Sequence, residues 1–218
     1  MDTSSNITRR DLIQNLALIT AGVGLFEITS CNSPSIEKAN VNTQKSILKP
    51  FALQPQQLLQ PGPGGLDIRT WIRSSQTNMQ FSCVETAVAP KKMGPEPHYH
   101  KELDEVMLVL EGTATVMVDG KVEEIQQGGM HMRPRNIEHT FWNGSDKPLR
   151  FMDMYFNQDF ENFLEELFHN IFPDMARNHL TPLDPSIAKR IDELNKKYGV
   201  VSFPEKRQAI VDKYGLIG

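Results

Sequence analysis

The sequence predicts a mainly β fold, a double-sheet jelly roll followed by C-terminal α-helices. Three observations carry this. Short β-rich segments follow one another closely from Leu66 to Phe156. The tight-turn dipeptides Asp119-Gly120, Gly128-Gly129 and Asn143-Gly144 fall between some of them. From Gln158 onward the apolar period changes from that of a strand to that of a helix.

Residues 1–31 carry the marks of an export signal. Arg9-Arg10 precedes an apolar stretch from Leu12 to Phe26, and Ile28-Thr29-Ser30-Cys31 closes it. Thr8-Arg9-Arg10-Asp11-Leu12-Ile13 is similar to the twin-arginine type of signal, which exports folded proteins. Ile28-Thr29-Ser30-Cys31 resembles a lipobox, which would make Cys31 a lipidated residue tethering the protein to a membrane. A plain secretory signal, or an amphipathic helix with a chance arginine pair, are the blander alternatives. The export reading places the protein in a bacterial periplasm, free or anchored to a membrane facing it.

Residues 32–65 are rich in Gln, Pro, Asn and Ser and end in Gln60-Pro61-Gly62-Pro63-Gly64-Gly65, the composition of a tether, with a short ordered arm expected from Ile47 to Leu59. Residues 66–157 hold the barrel. Strands are expected at 66–74, 79–88, 106–110, 113–118, 121–125, 130–133, 139–142 and 149–156. Val106-Met107-Leu108-Val109-Leu110 is apolar on both faces, so one face must pack outside the barrel, on a partner subunit or on the C-terminal helices. Residues 158–218 form a helical extension. Phe160, Phe163, Leu164, Leu167 and Phe168 recur at helical spacing up to Pro173, which is expected to end that helix. Further helices are expected from Asp184 to Tyr198 and from Pro204 to Tyr214.

With 218 residues the chain can form one domain with a substantial core plus appended segments. A net charge of −4 gives no electrostatic reason to expect nucleic acid as a partner. The apolar runs fall short of the about 18 to 20 residues that a membrane-spanning helix needs. Cys31 and Cys83 are too few for a disulfide framework, and Cys83, inside Phe81-Ser82-Cys83-Val84, is expected to be a buried free thiol.

The chemistry concentrates in two short segments. His98 and His100, one residue apart on an extended strand, point to the same side, so their imidazoles can meet one ion while Tyr99 faces away. Glu105 and His139 complete a set of three nitrogens and one oxygen. That set suits one divalent transition metal ion, with Fe, Mn, Ni, Cu and Zn all open. His98-x-His100-x4-Glu105-x6-Gly112 resembles the first cupin motif, and Gly128-x5-Pro134-x-Asn136-x2-His139-x3-Asn143 resembles the second. Asn136 stands where the family usually has glycine, and asparagine tolerates the left-handed conformation next best.

The lead-in Gly94-Pro95-Glu96-Pro97, the run Phe160 to Leu167, and Asp184-Pro185 leading to Tyr198-Gly199 are similar to single-domain cupins of the quercetin-dioxygenase-like branch. The resemblance covers roughly residues 65 to 200. It implies a double-stranded β-helix, the cupin barrel, and a homodimer. It further implies a metal-dependent dioxygenase that takes an aromatic or enol-type small molecule and dioxygen. In that branch Glu105 would be both ligand and catalytic base, with His98, His100 and His139 as fixed ligands. A metal-dependent isomerase or lyase, which would need a more polar wall, and a non-catalytic small-molecule-binding cupin stay open.

Alternation extends the site. Met107 and Val109 share the side of Glu105, and Phe141 and Asn143 share the side of His139, which makes the ligand end of the barrel mostly apolar. These residues are expected to line the pocket. Arg133 and Arg135 are the nearby cations that could bind a substrate anion, though solvent-facing strand-end charge is the favoured reading. His131 is either an accessory ligand or proton shuttle, or a satisfied strand histidine, the second being favoured. His169 and His179 are expected at the surface and Trp142 in the core.

Overall fold

The computed structural model describes residues 47–218. The export signal, Cys31 and residues 32–46 of the tether lie outside the described residues. Among the described residues, ten strands form two five-stranded sheets. They are β1 (Leu66–Ile72), β2 (Phe81–Val88), β3 (His98–His100), β4 (Asp104–Glu111), β5 (Thr113–Val118), β6 (Lys121–Gln126), β7 (Met130–Arg133), β8 (His139–Trp142), β9 (Leu149–Phe156) and β10 (Val200–Ser202). One sheet runs β1-β2-β9-β4-β7 and the other β10-β3-β8-β5-β6, with every strand pair antiparallel. This is the double-sheet jelly roll that the alternating segments predict.

The turn chemistry fits the residues. Asp119 and Gly120 both have positive φ, 50° and 74°, the conformation that a two-residue hairpin between β5 and β6 requires. Gly112 has φ 78°, and a Cβ there would collide with the carbonyl oxygen of Pro148. Asn136 has φ 62°, so the residue that replaces glycine in the second motif does adopt the left-handed conformation. Its amide donates to the His100 carbonyl at 2.7 Å, which fastens this turn to β3.

Inside the barrel, Val88, Met107, Val109, Ala114, Val116, Phe141, Leu149 and Phe151 form one apolar cluster. A second cluster joins Ile68, Val84, Leu103 and Tyr155 of the barrel to Phe160, Phe163 and Tyr198 of the C-terminal extension. A third packs Met93 and Trp142 against Ile210, Val211 and Leu216. Trp142 is thus core, and Cys83 is a buried free thiol.

The extension departs from expectation in two ways. The helix at Phe160 does not end at Pro173: α1 (Phe160–Glu165) passes through a π-helical stretch (Glu166–Ile171) into α2 (Phe172–Asn178). The Phe172 amide bonds to the Leu167 carbonyl five residues back, and this wider spacing lets Pro173 start the next segment, where a missing N–H is tolerated. After α3 (Pro185–Tyr198), Gly199 turns the chain with φ 66° into β10, a strand that pattern reading overlooks. The chain ends with α4 (Arg207–Tyr214).

Residues Ile47 to Leu59 carry neither helix nor strand, and Ile47, Leu48, Phe51, Leu53 and Leu58 are exposed. His169 and His179 are exposed, as expected. No helix among the described residues is long and apolar enough to cross a membrane.

Candidate metal centre

His98 and His100 come from β3, Glu105 from β4 and His139 from β8, so four ligand atoms converge from three strands of both sheets. His98 stands opposite His139 in the β3–β8 register, with ring centroids 4.5 Å apart. One potential ligand atom from each of the four residues lies within 4.8 Å of the others. His100, Glu105 and His139 are buried, and His98 is half-buried.

The hydrogen bonds around the rings set their tautomers. His98 Nδ1 lies 2.9 Å from the Glu96 carbonyl oxygen, and His139 Nδ1 lies 2.8 Å from that of Ile137. Each Nδ1–H therefore donates to backbone, which leaves a lone pair on Nε2. His139 Nε2 sits 2.6 Å from Glu105 Oε1, and His100 Nε2 is 3.5 Å from the same oxygen. None of these three atoms has a hydrogen-bond partner, although all are buried. At the His139–Glu105 contact two acceptors face each other, an arrangement that is costly unless a cation is shared between them. The donor set thus fits a divalent transition metal, which the three imidazoles and one carboxylate could hold.

The electrostatics agree. Burial, with two other imidazoles alongside, holds His98 well below the usual histidine range, so it is a neutral lone-pair donor at physiological pH. Burial alone would raise Glu105, but the charge of Arg133 outweighs it and holds the carboxyl well below its ordinary value. Glu105 is therefore ionised, as a ligand must be.

Several residues predicted from the sequence stand elsewhere than expected. Arg133 is not a solvent-facing charge. It is 1 % exposed, and its Nη2 donates to Glu105 Oε2 at 3.2 Å and to Asp153 Oδ1 at 2.5 Å. Its partners also occupy it, so it is no free receptor for a substrate anion. Arg135 does lie at the surface, paired with Asp104. Asn143 is a turn clamp rather than a pocket residue: its Nδ2 donates to the Val88, Ala89 and Lys147 carbonyls, and its Oδ1 accepts from Ser145. Met107, Val109 and Phe141 are packed into the first apolar cluster, filling the barrel behind the ligands. His131 is opposite Met107 in the β4–β7 register, and its Nε2 is 3.9 Å from the exposed Glu123 carboxylate. Among the described residues the cluster that could hold an ion consists of His98, His100, Glu105 and His139, without His131. Tyr99 points away from the imidazoles toward Phe203, with ring centroids 6.1 Å apart.

The sequence reading missed three features. Asp153 and Tyr155 of β9 face inward beside Arg133, with the Tyr155 hydroxyl donating to Asp153 Oδ2 at 3.2 Å. The site is thus backed by a buried polar chain where an apolar wall is expected. Phe160 at the start of α1 covers His100 edge to face, centroids 4.9 Å apart. And β10 pairs with β3, the strand carrying His98 and His100.

Residues 84–155 match the cupin domain family Cupin_2. The structure resembles KdgF from Halomonas sp. at a TM-score of 0.39 and 16% identity, over 43% of this chain and 80% of that one. It resembles the polyketide cyclase RemF from Streptomyces resistomycificus at a TM-score of 0.40 and 25% identity, over 51% of this chain and 81% of that one. A sugar phosphate isomerase of the cupin superfamily from Silicibacter pomeroyi matches at a TM-score of 0.37 and 22% identity, over 42% of this chain and 60% of that one. No curated protein matches the sequence.

Proposed function

We propose, with residues 84–155 a cupin domain, that the chain is a metal-dependent dioxygenase acting on an aromatic or enol-type small molecule. The observation that carries the reading is the set of buried, partnerless ligand atoms His100 Nε2, His139 Nε2 and Glu105 Oε1 around one point. A bound transition metal would supply positive charge for an anionic substrate oxygen and electron-transfer chemistry toward dioxygen. The chain's own residues do the rest. Glu105, ionised and oriented by Arg133, takes the acidic proton of the substrate hydroxyl or carbon acid at Oε1. His98, the least buried imidazole, marks the side from which a substrate approaches, while Phe160 shields His100 from water. Arg133 and Asp153 are charged but engaged with each other, so they offer a substrate no free charge, and this favours an oxidative substrate of low charge over a phosphorylated sugar.

The test is oxygen uptake by the full chain loaded in turn with Fe, Mn, Ni, Cu or Zn and offered flavonols, catechols and β-diketones. Metal- and substrate-dependent uptake that vanishes in Glu105→Gln supports the reading. Absence of uptake while the metal stays bound moves the assignment to an isomerase, a lyase or a binding protein.

The N-terminal segment adds a location to this reading: export to the periplasm, with Cys31 as the lipid-bearing residue. Radiolabelled palmitate incorporated into the full chain and lost in Cys31→Ala is the expected result, and a cytoplasmic, unlabelled protein would refute it.

A further inference from the structure

Behind the ligands lies a chain of buried polar groups in which the dioxygenase reading gives Asp153 and Tyr155 no part in holding the ion. Glu105 Oε1 faces the imidazoles while Oε2 accepts from Arg133 Nη2 at 3.2 Å. The same Nη2 donates to Asp153 Oδ1 at 2.5 Å, and Asp153 Oδ2 accepts the Tyr155 hydroxyl at 3.2 Å. Arg133, Asp153 and Tyr155 are 1 %, 2 % and 4 % exposed. The strand registers dictate the contact: Arg133 stands opposite Glu105 across β7 and β4, Tyr155 opposite Glu105 across β9 and β4, and Asp153 opposite Met107. All four side chains therefore project to the same interior face of one sheet.

We propose that Asp153 and Arg133 are positioning residues for the metal centre, which hold the Glu105 carboxylate so that one oxygen alone is presented to the imidazoles. The inference rests on the metal-centre reading. A carboxylate on a flexible side chain can turn either oxygen, or both, toward a cation. Here the shorter Arg133–Asp153 contact anchors the guanidinium, and the guanidinium in turn occupies Oε2. Asp153 also balances the Arg133 charge, so the site keeps a net negative charge when its imidazoles are neutral. Without Asp153, Arg133 would bear wholly on Glu105, drawing it back and opposing the ion. Outer-shell partners of this kind typically change metal affinity about 10- to 100-fold when removed.

The test uses the full chain, free of metal, titrated with Co2+ while the visible absorption band reports coordination. Asp153→Asn is expected to bind Co2+ at least about 10-fold more weakly than the natural chain, with a changed band. Glu85→Gln is the control, because Glu85 is also a buried carboxylate held by two arginines, Arg69 and Arg150, but away from the ligands. It is expected to leave Co2+ affinity and band unchanged. Should Asp153→Asn fail to fold, Arg133→Lys keeps the charge but loses the planar fork, and the same weakening and band change are expected. Binding and spectrum equal to the natural chain in a folded variant, or equal weakening in Glu85→Gln, would overturn the inference while leaving the metal centre standing. A natural chain that binds no Co2+ would overturn both.

Discussion

Val200 stands opposite His100 in an antiparallel pair, so the last strand of the chain lies against the strand that carries two of the four candidate ligands. The pairing is closed at both ends: the Lys101 amide donates to the Gly199 carbonyl at 2.9 Å, and the Phe203 amide donates to the Pro97 carbonyl at 2.8 Å. Without this partner the three-residue ligand strand would become the sheet edge, held by β8 alone. The C-terminal extension is thus structurally part of the centre.

Placing proline at Val201, opposite Tyr99, removes a backbone donor from β10. Val201→Pro is expected to lower stability by on the order of 1–3 kcal/mol, the cost of a lost backbone partner, and to weaken metal binding. Thermal denaturation with and without metal measures both. Unchanged metal affinity would show that β3 holds its imidazoles unaided.

The ligands should differ in their replaceability. His100→Ala removes a buried imidazole with no substitute nearby, so metal content should fall to near background. Glu105→Gln keeps an oxygen in place and should retain more metal while losing turnover. Metal analysis of both purified variants decides the point, and equal metal loss would argue against a separate role for Glu105 as base.

Glu85 ties together β1, β2 and β9 through Arg69, Arg150 and the Trp71 indole N–H. Burial alone would raise its pKa, but the hydrogen bonds from Trp71, Arg69 and Arg150 more than offset this and hold it below the ordinary carboxylate value. A carboxyl with a depressed folded value stabilises the fold above its unfolded pKa of about 4.3 and loses that contribution as pH falls through the folded value. Glu85→Gln should therefore cost about 2 kcal/mol at pH 7, less than a fully desolvated pair because both arginines reach solvent. The difference from the natural chain should vanish in strong acid. Denaturant melts of both chains, taken from pH 7 down into strong acid, check this.

The outer face of β7-β4-β9 is apolar. Met130 and Met132 are 55 % and 49 % exposed, and beside them Val106, Leu108, Met152 and Met154 are half-buried. The C-terminal helices pack elsewhere, on Trp142 and around Tyr155. A second copy of the chain, meeting the same face isologously, is the partner we propose. Light scattering should give twice the chain mass, and Met132→Glu should give a monomer that still binds metal. A monomeric natural chain would refute the dimer.

Much of this was legible in the sequence. The strands from β4 to β9 fall within one or two residues of the alternating segments, because each half-buried strand imposes its period on the residues. The four candidate ligands were legible because metal coordination demands particular side chains at particular offsets. Asp153 and Tyr155 could have been found by the same rule: in Leu149-Arg150-Phe151-Met152-Asp153-Met154-Tyr155 they are in phase with Phe151. An acid in phase with an apolar face signals a buried partner. Arg133 reads as solvent-facing in the sequence because exposure is the ordinary state of arginine, and only the register that sets it opposite Glu105 reveals its burial. The strand β10 left no trace, since three residues after a helix are too few to show a period and their partner lies about a hundred positions away. Pro173 misled because the π-helical stretch that accommodates it has no clear sequence signature.

The most direct test of the central claim is the metal stoichiometry of the purified full chain, measured beside His100→Ala and His139→Ala. One transition metal ion per chain, lost in both variants while their folds persist, is the predicted result. A natural chain that binds no metal under any loading condition, or variants that keep it undiminished, would contradict the account.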